Sequence, residues 1–122
     1  MKKHEAATGG IMIALLFGPL VWAVHFLIVY GGHATVCARE APALQALLPL
    51  LMHGASFTAL AILAGAVWRP DLVLQVLQRG SLAAREAQFL RLALRMLALL
   101  SLAGVSYAWI GIVLVAECTQ FR

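Results

Sequence analysis

Three unbroken apolar runs constrain this chain more than any other feature. They cover roughly residues 9–30, 47–68 and 95–116. Each holds about 22 residues, and at a rise of about 1.5 Å per residue such a helix crosses a hydrocarbon core ~30 Å thick. None of the runs alternates apolar with polar residues, which argues against barrel strands. Charged residues make up only 11% of the chain, against about 25% in soluble domains. The expected fold is an all-α integral membrane protein with three transmembrane helices, forming a single domain over residues 1–122. The opening MKKHEAATGGIMIALLFGPLVWA has the basic start and apolar stretch of a secretory signal. Its apolar stretch runs on to Tyr30, longer than a typical signal, so it is read as a retained first span.

Lysine and arginine set the expected orientation. The N-terminus and the loop between spans two and three hold Lys2, Lys3, Arg69, Arg79, Arg85, Arg91 and Arg95, whereas the opposite side holds only Arg39 and Arg122. The positive-inside rule then puts the N-terminus in the cytoplasm and the C-terminus in the periplasm of a bacterial inner (plasma) membrane. The net charge of +4 reports this topology. Without a basic, aromatic-laced patch it does not point to nucleic acid. Cys37 and Cys118 follow spans one and three on the same outer side, where the compartment permits disulfides. A Cys37–Cys118 bridge is expected, provided the two Cα atoms come within roughly 7 Å. There is no CxxC motif to suggest a Cys-based metal site.

The cytoplasmic loop carries its own structure. Trp68 suits an interfacial anchor. Pro70 suits the first turn of a short helix, and Asp71 is favoured there by the helix dipole. In DLVLQVLQR, Leu72, Val73, Val76 and Leu77 share a face opposite Gln75, Gln78 and Arg79, the pattern of a short cytoplasmic interfacial helix. Gly80 would end it and Ser81 would cap a long third helix over about 82–116. Arg85, Arg91 and Arg95 lead into that span, as solvated residues obeying the orientation rule or as contacts to anionic lipid or a partner.

Small residues mark the packing faces. Span two carries Gly54, Thr58, Ala61 and Gly65 at helical spacing, and span three carries Ser101, Gly104, Ala108 and Gly111. Such stripes let membrane helices approach closely. Three helices do not need every such face internally, so one is expected to meet another subunit.

His25 and His53 are the chemistry-bearing residues. Counted from the outer span ends, His25 lies ~7–8 Å deep and His53 ~9 Å deep, on neighbouring antiparallel helices. Tyr107 lies slightly deeper on span three. An ionisable residue within a span is a functional hypothesis by default. Four readings stay open at this stage. The imidazoles are structural, bonded across helices to Tyr107, Ser106 or a carbonyl freed by Pro19. They are the axial ligands of one haem b. They line a quinone or proton path, with Trp22 and Tyr107 as walls. Or they bind a metal such as copper, for which two ligands without an acid or thiol make a poor site. Pro19 removes one helical hydrogen bond and kinks span one. Pro49 sits near the start of span two, or inside a helix already begun at Pro42.

The segment Gly18-Pro19-Leu20-Val21-Trp22-Ala23-Val24-His25-Phe26, followed by Tyr30 and Cys37, resembles the first span of small bacterial three-span membrane proteins. These carry a G-P-x-x-W-A-x-H-F-x-x-x-Y pattern and are associated with cytochrome c oxidase (haem-copper oxidase) loci. The resemblance covers about twenty residues. It implies a respiratory-chain setting for Trp22, His25 and Tyr30. The expected function is that of a non-catalytic accessory subunit of a respiratory electron-transfer complex, aiding assembly, stability or access of quinone or haem. Its partners would be the oxidase subunits and the lipid bilayer. The alternatives are a bis-histidine membrane cytochrome b acting as an electron carrier, and a small transporter or channel. The latter is weakened by the lack of an acidic residue in any span and of a discontinuous-helix pattern in paired halves.

Overall fold

Every long apolar run becomes a helix. The computed structural model describes residues 2–39, 42–77 and 84–114, with the side chains of 2–8 and 84 excepted. Helix α1 runs Lys2–Phe26, passes through one π-helical turn at Leu27–Gly31, and continues as α2, Gly32–Ala38. Helix α3 is Pro42–Trp68, α4 is Pro70–Leu77 and α5 is Ala84–Leu114. Three segments are long and apolar enough to cross a membrane: Gly9–Ala38, Pro42–Trp68 and Arg85–Leu114. Among the described residues there is no strand.

The helices reach further than the apolar runs that predict them. Span one does not stop at Tyr30. The wide π turn carries it to Ala38, and Thr35 bonds back to the carbonyls of Gly31 (2.8 Å) and Gly32 (3.1 Å). Cys37 therefore lies on helix α2, not in a loop. Span two starts at Pro42, where a missing N–H costs nothing because the first helical donors have no partner in any case. Pro49 then falls inside α3, and Pro19 inside α1. Gly80 and Ser81, the expected cap between α4 and α5, lie outside the described residues, as does Cys118.

Helix α3 ends because Pro70 cannot donate to the Ala66 carbonyl. Arg69 still bonds back to Gly65 (2.8 Å), and the Leu72 N–H bonds to the Arg69 carbonyl (3.1 Å) as α4 begins. Helix α4 divides the expected apolar face between the core and the surface. Pro70 and Leu74 are buried, and Val73 and Leu77 pack beside them, while Leu72 and Val76 are exposed. Of the four residues of that face, Val73 and Leu77 join the core, and Leu72 and Val76 leave an apolar edge on the surface.

Three apolar levels stack along the bundle. At the α4 end, Ala14, Ala66, Leu74, Leu90, Leu94 and Ala98 meet. In the middle are Ala59, Leu63 and Val105. At the α2 end, Val29, Leu48 and Met52 pack against Val36, Cys37 and Ile112. Helix α5 is the spine: its contact with α1 is the most extensive, then that with α3, and α1 touches α3 less. Large apolar side chains such as Leu20, Leu27, Leu50, Leu100 and Val113 face outward along all three helices. That inversion suits a lipid solvent, in which packing and polar contacts rather than the hydrophobic effect hold helices together.

Candidate functional site

A polar layer crosses the bundle between its middle and α2-end cores. His25, in the last turn of α1, is 2% exposed. Its Nε2 lies 3.0 Å from the Oγ of Ser56 on α3. Ser56 is itself fully buried, and its hydroxyl donates to the Met52 carbonyl at 2.9 Å. A serine hydroxyl has one proton. With that proton on Met52, the oxygen can only accept from the imidazole. His25 therefore carries its proton on Nε2 and presents a lone pair at Nδ1, a buried atom without a partner among the described residues. A bare lone pair is the cheaper of the two orphans, since an unmatched N–H would be the obligate donor.

His53 belongs to a different contact. The indole Nε1 of Trp109 on α5 donates to His53 Nδ1 at 3.1 Å. The two rings meet edge-on, with centroids 6.4 Å apart, and Phe57 packs on the same indole at 5.3 Å. Indole is a donor only, so His53 also carries its proton on Nε2. Each histidine thus fastens one helix pair, His25 joining α1 to α3 and His53 joining α3 to α5. Ser56, and not the histidine that the sequence sets at a similar depth, meets His25.

The donor set does not fit a bis-histidine haem. A ligating imidazole gives one nitrogen to the metal and donates its other N–H to a carbonyl or carboxylate. Here His53 Nδ1 faces an indole donor and cannot carry the outward N–H of a ligand bound through Nε2. His25, with its Nε2–H on Ser56 and a bare Nδ1, meets that pattern alone, and one imidazole does not make the pair. The His25–Ser56 contact also holds α1 against α3 only one turn from His53, where a macrocycle would need a gap. Tyr107, expected as a pocket wall, is 81% exposed on α5. Ser106 donates to the Leu102 carbonyl of its own helix, at 2.9 Å.

The residues of the first-span pattern act as packing pieces. Gly18 lies against α5, where an added Cβ would stand 3.0 Å from the Leu97 carbonyl oxygen and from Ser101 Oγ. Trp22 lies over Gly104, whose Cβ would meet the indole nitrogen at 2.9 Å. Trp22, Phe26 and Tyr30 form a ladder of tilted rings along the outer surface, with centroid spacings of 5.8 and 4.2 Å. The small-residue stripes divide accordingly. Ser101 and Gly104 face α1, and Ala108 and Gly111 are half-buried beyond them. Gly54, Thr58, Ala61 and Gly65 are all exposed, and a Cβ at Gly54 or Gly65 would meet nothing.

At the α4 end, Arg91 pairs with Asp71 at 3.3 Å, and Arg95 Nε donates to the Val67 carbonyl at 2.9 Å. Arg85 is exposed near the start of α5. At the other end His33 is half-buried, with both ring nitrogens 3.8 Å from Cys37 Sγ. No protein-family model, curated protein or solved structure matches the chain.

Proposed function

We propose that the chain is a small accessory subunit of a bacterial respiratory electron-transfer complex of the haem-copper oxidase type. It sits in the inner membrane with its N-terminus in the cytoplasm and C-terminus in the periplasm, a Cys37–Cys118 bridge on the outer side, and no catalysis of its own. One observation carries the non-catalytic reading. His25 and His53 are engaged in holding helices together, His25 by Ser56 and His53 by Trp109. That leaves the stripe Gly54, Thr58, Ala61 and Gly65 on the outer face of α3, the kind of surface by which one membrane helix meets another. The respiratory setting rests on the resemblance of the first span.

The test is purification of the affinity-tagged chain in mild detergent. The expected result is a haem-containing complex recovered with the tagged chain, and a chain that is colourless when purified apart from it. A dithionite-reduced minus oxidised spectrum of the isolated chain with a stoichiometric b-type band would overturn this and make the protein a cytochrome. Flux through liposomes bearing the chain alone would instead make it a transporter or channel.

A further inference from the structure

Where α4 folds back on α5, the surface opens into a cleft of about 350 Å³ lined by Pro70, Asp71, Gln88, Arg91, Leu92 and Arg95. Gln88, Arg91, Leu92 and Arg95 are spaced by three, one and three residues, so α5 presents them along one face. Two guanidinium groups and one carboxylate leave the cleft with a net charge of +1. The donors are unequally engaged. Arg95 is held at Nε by the Val67 carbonyl, which fixes its plane while its terminal N–H groups remain to meet a ligand. Arg91 touches Asp71 through one terminal nitrogen at 3.3 Å, a long contact between side chains that are 44% and 60% exposed. An exposed pair of this kind holds only weakly.

The position of the cleft selects its ligand. It adjoins the end of α3, where Trp68 is 79% exposed; Leu92 lines it, and Leu72, Phe89 and Met96, the sequence neighbours of lining residues, are exposed. An occupant would thus have an anionic end matched to the arginines and an apolar body matched to the rim. Guanidinium groups favour phosphate because their planar N–H pairs match two of its oxygens. A single phosphodiester charge balances the cleft.

We propose that this cleft binds the phosphodiester headgroup of an anionic phospholipid. Arg95 and Gln88 are its standing donors, and Arg91 exchanges Asp71 for the phosphate. The proposal needs the chain to lie in a bilayer and does not depend on the respiratory reading. A failure of copurification would leave it untouched.

Native mass spectrometry of the full chain in detergent, with phosphatidylglycerol, phosphatidylcholine or inorganic phosphate added, tests it. One phosphatidylglycerol should be retained per chain, at least fivefold more than phosphatidylcholine. Arg95→Gln should lower that retention at least fivefold. Asp71→Asn removes the competing carboxylate and should raise it, so a helical but non-binding arginine variant is not the only evidence. Equal retention of the two lipids overturns the proposal, as does an unchanged Asp71→Asn. Displacement of the lipid by millimolar inorganic phosphate would assign the cleft to free phosphate instead and overturn the lipid assignment.

Discussion

Alanine at Gly18 should loosen this bundle, although alanine is the better helix former. A Cβ there would stand 3.0 Å from the Leu97 carbonyl oxygen, 3.0 Å from Ser101 Oγ and 3.2 Å from Ala98 Cα. Two of these three atoms are α5 backbone and cannot rotate away, so α1 must move outward by a few tenths of an ångström to reach ordinary contact near 3.4 Å. That shift opens the packing of Ala14 against Leu94 and Ala98 below. Overpacking of this kind costs about 1–3 kcal/mol, and the higher helix propensity of alanine offsets about 1 kcal/mol of it. The net loss is then about 0–2 kcal/mol. Gly65→Ala is the control: it meets nothing within 4 Å, so only the propensity term acts and the variant should be neutral or slightly more stable. The two variants should therefore differ by about 2 kcal/mol, about 30-fold in the folded-to-unfolded ratio. Denaturation in mixed micelles followed by far-ultraviolet circular dichroism measures it. Equal stability of Gly18→Ala and Gly65→Ala would refute the close α1–α5 contact.

The polar layer makes further predictions. Ser56→Ala strands the His25 Nε2 donor and should cost about 1–2 kcal/mol, within the range for membrane hydrogen bonds and orphaned donors; adding His25→Phe should restore much of the loss, whereas purely additive costs would show that the two residues are not coupled. Trp109→Phe keeps an aromatic against Phe57 but removes the indole donor to His53, so it should cost about 0.5–1.5 kcal/mol and vanish in a His53→Leu background. If Cys37 and Cys118 are bridged, the oxidised chain should migrate faster than the reduced chain on a denaturing gel, and no shift would refute the bridge. Alkaline phosphatase fused after Arg122 should be active in a bacterial host and inactive when fused after Arg79, and the reverse result would invert the orientation.

Much of the fold was legible because a bilayer leaves so few choices. A run of apolar residues without alternation must satisfy its own backbone, and only a helix does so within one segment. The α4 helix was legible from Pro70 and Asp71, which mark a helix start whatever surrounds them. The face of α4 was not, because Leu72 and Val73 are equally apolar and only the position of α5 decides which is covered. The helix ends were also hidden. Hydropathy falls at Gly31-Gly32-His33, yet backbone hydrogen bonding continues through a π turn to Ala38. Helix α3 begins at Pro42, before hydropathy rises, the earlier of the two starts the sequence left open.

That error in the ends is what misdirected the reading of His25. Depths counted from Tyr30 and Leu47 set His25 level with His53. Counted from the actual helix ends, His25 lies thirteen residues before Ala38, and Ser56 lies fourteen residues after Pro42. In antiparallel neighbours those are the same level, and the structure joins them at 3.0 Å. His53 lies only eleven residues after Pro42, nearly one turn away, where Trp109 reaches it. Both partners were visible as letters, but a serine reads as a small packing residue and a tryptophan as an interfacial anchor. Neither looks like a histidine partner until the depth is right. The pattern Gly18, Trp22, His25 then acquires a structural cause that needs no ligand. A glycine admits α5, an indole fills the space over Gly104, and an imidazole reaches α3, so one helix face specifies two neighbours at successive turns.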